Sequence, residues 1–258
     1  MDIHAHVLPG IDDGPRDLAE SLAMARAAAA AGIATIAATP HLRHDFPDVH
    51  VEELAGRCRA LREAIEQEGI PIRVVSGAEV SLGWAIEASD EDLALASYGQ
   101  HGTDLLLETP TLNAAGIESA VALLSGKGYR VTLAHPERGF AFQRNHDSLR
   151  ALVDRGLLLA VNAGALLSAR GSRPGRLARY LVTEGLVHAL ASDGHRGERW
   201  RPVTVLEQGA QAAAGLVGSE RAEWMAYAAP SAILEGADLP AAPPVQLERR
   251  RRRLFGRS

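Results

Sequence analysis

Short apolar runs alternate with longer segments of helical periodicity along most of the chain. The apolar runs contain few polar positions, which is typical of strands that are buried on both faces of a parallel sheet. Seven of them are predicted to be strands: Ile3–His6, Ala34–Ala38, Ile72–Val80, Asp104–Glu108, Arg130–Ala134, Leu157–Val161 and Val187–Ala191.

The segments between these runs have the spacing of amphipathic helices, and several end at a glycine, as helices commonly do. The predicted helices are Asp17–Ala31, Val51–Glu68, Leu112–Ser125, Asp147–Asp154, Arg176–Glu184, Val203–Ala214, Ser219–Tyr227 and a short turn at Ser231–Leu234. Because strands and helices alternate, we expect a parallel α/β fold. Seven repeats in about 235 residues favour a closed or distorted barrel, with the active site at the carboxyl ends of the strands.

The last part of the chain departs from this pattern. Residues 237–258 contain three prolines followed by five consecutive arginines, Arg249–Arg253. We therefore predict one domain over residues 1–236 and a Pro/Arg-rich tail over residues 237–258. The tail is expected to be solvated. The alternative is weak association with an anionic membrane, to which each charge near the surface contributes about 1 kcal/mol.

Composition excludes several classes of protein. Apolar residues make up 47% of the 258 residues, which is enough for a hydrophobic core. No apolar run reaches the roughly 18 residues that a membrane span needs, and the first strand starts too early to leave room for a signal peptide. The single cysteine, Cys58, permits no internal disulfide, and its place on an apolar helix stripe predicts a core residue. These features indicate a cytoplasmic protein.

Side chains that bind metals recur at the ends of the predicted strands. His4 and His6 are two positions apart in the first strand, which directs both imidazoles to one face. The full candidate set, including one aspartate in the first loop, is His4, His6, Asp13, His41, Glu79, Glu108, His135, Asp193 and His195. Several carboxylates in one cleft repel each other unless cations neutralise them. Histidine and carboxylate together bind zinc, manganese and iron, so we predict a site for several metal ions.

The other five histidines do not follow this pattern. They fall in loops, at helix starts or near the beginning of a strand, so we expect surface or structural roles for His44, His50, His101, His146 and His188. Asn162, at the end of the sixth strand, is a weaker polar candidate for the site.

Short motifs accompany the predicted strands in a fixed order. They are His4-x-His6, Asp12-Asp13-Gly14-Pro15, Thr39-Pro40-His41, Gly77-Ala78-Glu79, His135-x-Glu137-Arg138 and Ser192-Asp193-Gly194-His195. In this order the motifs resemble the PHP superfamily (polymerase and histidinol phosphatase). Within it they most resemble the bacterial capsule-type tyrosine-protein phosphatases of the CpsB/CapC/YwqE kind. The resemblance covers about residues 1–235 and, counting Glu108, uses six of the seven predicted strands.

The resemblance implies a distorted (β/α)7 barrel of the PHP type that binds three divalent metal ions. Manganese is the expected metal, with iron and zinc as alternatives. The implied ligands are His4, His6, Glu79 and Asp193 for the first ion, a bridging Glu79 with Glu108 and His135 for the second, and Asp13, His41 and His195 for the third.

The reaction implied by the resemblance is hydrolysis of a phosphomonoester, with arginines binding the phosphoryl oxygens. Arg138 is the first candidate because it shares a loop with His135, and Arg201, before Pro202, is the second. Arg199 remains an alternative to Arg201. Because tyrosine has a pKa of about 10, its phenolate is a good leaving group and we expect no dedicated general acid.

The resemblance therefore implies a protein-tyrosine phosphatase that acts on a bacterial tyrosine kinase controlling polysaccharide biosynthesis or export. The alternatives are a small-molecule phosphatase of the histidinol-phosphatase type on the same metal core, and a regulatory protein without activity. The net charge is −5, and without the five tail arginines the rest carries −10, so we expect no nucleic-acid partner. The sequence leaves a homo-oligomer open.

Overall fold

The computed structural model describes residues 1–112, 114–196 and 201–246. Arg199 and the five arginines at Arg249–Arg253 lie outside these described residues, so the predictions made for them stay predictions. Within the described part of the chain, no helix is both long and apolar enough to cross a membrane.

The strands of the described residues form two sheets in which every pair is parallel. The first sheet has the order β1-β2-β4 and the second has the order β3-β5-β6-β7-β8-β9. The strands are β1 (Asp2–Ala5), β2 (Thr35–Ala38), β3 (His41–Leu42), β4 (Arg73–Ser76), β5 (Glu79–Val80), β6 (Asp104–Glu108), β7 (Arg130–Ala134), β8 (Leu158–Asn162) and β9 (Ala189–Ala191).

Two strands of the first sheet lead directly into strands of the second sheet, and backbone hydrogen bonds join the two sheets at a third place. β3 continues the direction of β2 after two residues, and β5 continues β4 in the same way. At the other edge, the amide of His6 donates to the carbonyl of Gly194 at 2.7 Å, and the amide of Asp193 donates to the carbonyl of His4 at 2.9 Å. The prediction of a parallel α/β fold is confirmed, and the carboxyl ends of all the strands face one rim.

Helices connect the strands and cover the outside of the sheets. They are α1 (Leu18–Ala30), α2 (Leu54–Gln67), α3 (Leu82–Glu87), α4 (Asp90–Ala96), α5 (Ile117–Gly126), α6 (Phe140–Arg144), α7 (Asp147–Val153), α8 (Ala163–Leu167), α9 (Arg173–Thr183), α10 (Val205–Val217), α11 (Ser219–Glu223) and α12 (Ala229–Glu235). Single 3₁₀ turns occur at Val51–Glu53, Tyr98–Gln100 and Pro136–Arg138, and a π-helical turn spans Trp224–Ala228.

Several predicted elements differ from the structure, two of them at a glycine. The run Ile72–Val80 is split into β4 and β5 at Gly77, where a Cβ atom would lie 2.9 Å from the ring of Tyr98. The helix predicted from Leu112 begins only at Ile117, because the preceding Gly116 has a φ of 90° that no regular helix accepts. An apolar pattern encodes neither the close approach of Tyr98 to Gly77 nor the positive φ of Gly116.

The first residues of the predicted tail contact the body of the protein. The Trp224 indole donates to the carbonyl of Pro240 at 3.0 Å, and the Arg221 guanidinium donates to the carbonyl of Pro243 at 3.0 Å. The amide of Gln246 donates to the carbonyl of Val217 at 2.9 Å. Residues 237–246 therefore lie against the end of α10, α11 and the π-helical turn.

Candidate metal centre and active site

The nine candidate ligands converge at the carboxyl rim of the strands, although they come from almost 200 positions of sequence. Parallel strands bring their carboxyl ends to one edge, so residues at equivalent strand ends become neighbours. Most of the nine are buried; Asp13 and Glu108 are half-buried.

Glu79 lies at the centre of this cluster and is fully buried. Its Oε1 atom lies 2.8 Å from Nε2 of His135, and its Oε2 atom lies 2.8 Å from Nδ1 of His41. The Nε2 atoms of His4 and His6 lie 3.4 and 3.5 Å from the same Oε2 atom. One carboxylate therefore faces four imidazoles from three different strand ends.

Two aspartates complete the cluster on either side. Asp13 Oδ1 lies 3.2 Å from Nε2 of His195 and 3.6 Å from Nε2 of His41. Asp193 Oδ1 lies 3.6 Å from Nε2 of His4 and 3.7 Å from Nε2 of His6. All nine residues enter groups whose ligand atoms lie within 4.8 Å of one another. The groups are His6, Asp13, His41 and His195; His4, His135 and Asp193; His4, His6 and Glu79; and His41, Glu79 and Glu108.

Several buried polar atoms of these residues make no hydrogen bond of regular geometry among the described residues, although some lie close to an atom of opposite charge. They are His4 Nε2, His6 Nε2, Asp13 Oδ1, His41 Nδ1, Glu79 Oε2 and His135 Nδ1. A buried polar atom without a partner costs roughly 1–3 kcal/mol, so such atoms rarely gather in one place without a ligand. The atoms are nitrogen and oxygen donors with no thiolate among them, and they fit divalent metal ions.

The protonation equilibria show how strongly these groups interact. Burial opposes ionisation of Glu79, but the surrounding histidines, His4 first, hold its pKa well below the usual value. Burial, together with the charge on Glu79, raises the pKa of Glu108. Burial opposes ionisation of Asp13, but the neighbouring imidazoles of His195, His6 and His41 together lower its pKa to about 2. The pKa values of Glu79 and Asp13 are therefore lowered and that of Glu108 is raised. The groups responsible for these shifts are themselves candidate ligands.

The backbone is strained at this rim. His135, Asp193 and Arg201 have φ values of 37°, 50° and 49°, and the other described non-glycine residue with positive φ is Gln100. Such conformations cost about 1–3 kcal/mol each and persist only where the surroundings enforce them. Three of these four residues belong to the candidate site, so the strain serves to aim their side chains.

The two candidate phosphate arginines meet at Asp193. Arg138 forms an ion pair with Asp193 Oδ2, and Nη1 of Arg201 lies 3.4 Å from the same oxygen. The Arg201 guanidinium also lies 3.0 Å from Nε2 of His195. Both arginines are about 30% exposed, so they reach the metal cluster from its open side.

Glu137 links the loop that carries Arg138 to the end of β8. This carboxyl group is fully buried and accepts a hydrogen bond from the amide of Asn162 at 3.1 Å. Burial raises the pKa of Glu137 to about 7. The side-chain amide of Asn162 in turn donates to Asp193 Oδ2 at 3.4 Å. Asn162, the weaker polar candidate of the sequence analysis, therefore contacts a candidate ligand.

Asp12, which the sequence interpretation passed over in favour of Asp13, contacts one of the candidate ligands. Its Oδ2 atom lies 2.7 Å from Nδ1 of His6, and it also accepts from the amides of Gly14 and His41. A carboxylate on the second nitrogen of a metal-binding histidine fixes its tautomer and orientation. The only signal in the sequence was the doubled aspartate itself.

Replacing Asp12 with asparagine is therefore expected to weaken metal binding by about 10- to 100-fold, because His6 loses its orienting charge. Competition with a metallochromic chelator would measure the affinity. Asp48, an exposed aspartate, provides the matched control when changed to asparagine. Equal affinity in the Asp12→Asn variant and the wild type would contradict an orienting role.

Arg43 is a second residue without a signal in the sequence. Its Nη1 atom donates to Glu108 Oε1 at 2.8 Å, while Nε and Nη2 each donate to Asp45 at 2.5 Å. Arg43, Glu108 and Thr111 also line an open cleft of about 460 Å³ beside the cluster. This cleft opens beside the candidate ligand Glu108.

Cys58 and His44, which the sequence analysis assigned no role in the site, lie outside the cluster. Cys58 is buried on α2 within the hydrophobic core, and burial raises the pKa of its thiol to about 11. His44 is largely exposed and lies 3.8 Å from Glu87. A cysteine-based phosphatase mechanism is excluded, because this inert thiol belongs to the only cysteine of the chain.

Known proteins are similar to this chain in sequence and fold. The family model for capsular polysaccharide synthesis, CpsB/CapC, matches residues 1–235. Tyrosine-protein phosphatase YwqE of Bacillus subtilis is 35% identical over 203 residues, with 76% of this chain and 77% of the relative covered. Tyrosine-protein phosphatase CpsB of Streptococcus pneumoniae is 26% identical over 217 residues, with 76% and 82% covered.

A solved structure is similar over nearly the whole length. It comes from work on YwqE from Bacillus subtilis and CpsB from Streptococcus pneumoniae, described as metal-dependent tyrosine phosphatases. The match has a TM-score of 0.81 and 30% sequence identity, and it covers 96% of this chain and 99% of the other. With the family model spanning most of the sequence, this chain belongs to the CpsB/CapC family of capsular polysaccharide synthesis.

Proposed function

We propose that this protein is a metal-dependent protein-tyrosine phosphatase. The observation that carries the proposal is the convergence of nine histidine and carboxylate ligands, many with unpartnered donor atoms, beside two arginines on one open rim. The tyrosine phosphatases named among the relatives support phosphotyrosine as the substrate.

We propose that the two sheets act as one distorted (β/α)7 barrel of the PHP type, formed by residues 1–236. The hydrogen bonds between the ends of β1 and β9, and the continuation of β2 and β4 into the second sheet, support this. The family model ends at residue 235, which agrees with the proposed boundary.

Three divalent ions, most simply manganese, fit the ligand set. The proposed ligands are His4, His6, Glu79 and Asp193 for the first ion, Glu79, Glu108 and His135 for the second, and Asp13, His41 and His195 for the third. His6 also lies close to the third group, and His135 to the first. When bound, such ions neutralise phosphoryl charge and lower the pKa of a water towards neutrality.

The protein's own contribution is to bind and orient the phosphoryl group. Arg138 and Arg201 approach Asp193 from the open side, where their guanidinium groups can bind the phosphoryl oxygens. Charge on those oxygens must be held through the transition state, and donors fixed in advance do this most effectively. The cleft beside Arg43 leaves room for the aromatic ring of the substrate.

We propose a phosphotyrosine protein as the substrate, namely a bacterial tyrosine kinase that controls polysaccharide biosynthesis or export. Family membership in capsular polysaccharide synthesis supports this over a small-molecule phosphatase of the histidinol-phosphatase type. The single buried cysteine fits action in the cytoplasm.

Removal of metal tests the proposed function directly. The full chain, treated with chelator and dialysed, is expected to lose hydrolysis of p-nitrophenyl phosphate and of phosphotyrosine peptides, and to regain both with manganese. Metal analysis of the protein as purified is expected to give up to three ions per chain. Activity that survives complete metal removal, or hydrolysis of alkyl phosphates faster than phosphotyrosine peptides, would contradict the proposal.

A further inference from the structure

A second pocket lies outside the metal cluster and is strongly basic. It has a volume of about 440 Å³ and is lined by Phe140, Gln143, Arg144, Arg173 and Arg176. The side chains come from α6 and from the first turn of α9, two helices that pack against each other. The three arginines are exposed, and the Phe140 ring is 46% exposed.

The charge of this pocket is not neutralised by its surroundings. Among the described residues, no carboxylate lies within ion-pairing distance of Arg144, Arg173 or Arg176, whereas nine other described arginines have such a partner. The polar contact of Arg176 is with the carbonyl of Gly171 at 3.0 Å. Residues 138–183 hold eight arginines and two aspartates, a net +6 in a chain of net −5. The pocket is therefore a basic area on an acidic protein.

This basic pocket is close to the proposed catalytic rim. Phe140, its aromatic wall, follows Arg138 by two residues, so their Cα atoms are at most about 7.6 Å apart. Gln143 donates to the carbonyl of Glu137 at 2.8 Å, which ties α6 to the loop of Arg138. The amide of Phe140 donates to the carbonyl of Thr111, a residue that lines the substrate cleft. A hydrogen bond thus links a residue that lines one cavity to a residue that lines the other.

We infer that the basic pocket binds acidic or phosphorylated side chains that flank the phosphotyrosine of the protein substrate. The inference rests on the proposed function. An extended peptide advances about 3.3 Å per residue, so a side chain two to four positions from the phosphotyrosine spans the distance to the pocket. Guanidinium groups bind carboxylates and phosphates in a bidentate manner, and the Phe140 ring offers an apolar surface for the peptide.

The test compares two phosphotyrosine peptides on the full chain with manganese. One carries glutamate at positions two to four on both sides of the phosphotyrosine, and the other carries glutamine there. The wild type is expected to have a kcat/KM about tenfold higher for the acidic peptide, mainly through KM, because each exposed ion pair contributes little. This preference should shrink as salt is raised.

The variant Arg144→Gln/Arg173→Gln/Arg176→Gln is expected to lose the preference while hydrolysing p-nitrophenyl phosphate at the wild-type rate. The matched control is Arg26→Gln/Arg57→Gln/Arg59→Gln, which removes the same charge from exposed positions on α1 and α2 and should keep the preference. A preference that survives in the first variant, or is lost equally in the control, would overturn the inference.

Two further measurements separate the remaining explanations. Fluorescence anisotropy measures the affinity for each peptide and does not depend on turnover. If the protein hydrolyses neither peptide, the proposed function is wrong, but the two affinities still show whether the pocket prefers the acidic peptide. Binding to vesicles of anionic lipid is measured for the same proteins. If the first variant loses only vesicle binding and keeps its preference for the acidic peptide, the pocket serves a membrane and the inference is wrong.

Discussion

Replacing Glu79 with glutamine is expected to lower phosphatase activity by at least about 10³-fold while leaving the fold in place. Glu79 faces His4, His6, His41 and His135 and is the one carboxylate that the proposal gives to two ions. Glutamine preserves the volume but removes the charge that balances the cations. Turnover of p-nitrophenyl phosphate, metal content and circular dichroism measure the three parts of this expectation.

Two results would contradict this prediction for Glu79. A Glu79→Gln protein with full metal content and full activity would remove Glu79 from the site. A Glu79→Gln protein whose circular dichroism differs from that of the wild type would contradict the expectation that the fold is kept. In that case His135→Ala provides a second variant with which to test the same centre. His44→Ala is the matched control, because this exposed histidine lies outside the cluster and should leave activity unchanged.

The Arg138→Ala variant is expected to lose about 10²- to 10³-fold in kcat with retention of bound metal, because a charged donor is removed from the transition state. Arg138 reaches Asp193 from the open side of the cluster, where the phosphoryl group would lie. Arg138→Lys should recover only part of the loss, since an ammonium group cannot make the bidentate contact.

Steady-state kinetics together with inhibition by inorganic phosphate would measure the effect at Arg138. The affinity for phosphate should fall along with kcat if the guanidinium binds phosphoryl oxygens. Arg57→Ala serves as the control, because Arg57 pairs with Glu53 on the exposed surface of α2. A wild-type kcat in Arg138→Ala, or a loss fully explained by missing metal, would refute a role in binding phosphate.

Local patterns were sufficient for much of the fold. β6 and β7 have the boundaries that their apolar runs predict, since a strand buried on both faces requires apolar residues throughout. α9 begins earlier than expected, at Arg173, because Ser172 caps it and Pro174 occupies its first turn. The pattern thus locates an element, whereas capping and turn geometry decide where it begins.

The sequence alone determined the alternation of strands and helices, the core, and the kinds of side chain at the strand ends. Only the tertiary structure decided which of these side chains touch, that Asp12 lies against His6, and that Arg43 joins Glu108 to Asp45. It also brought Arg144 and Arg173 together from two helices. The physical reason is that periodicity reports burial along one segment, while contacts between distant segments depend on how the sheet closes.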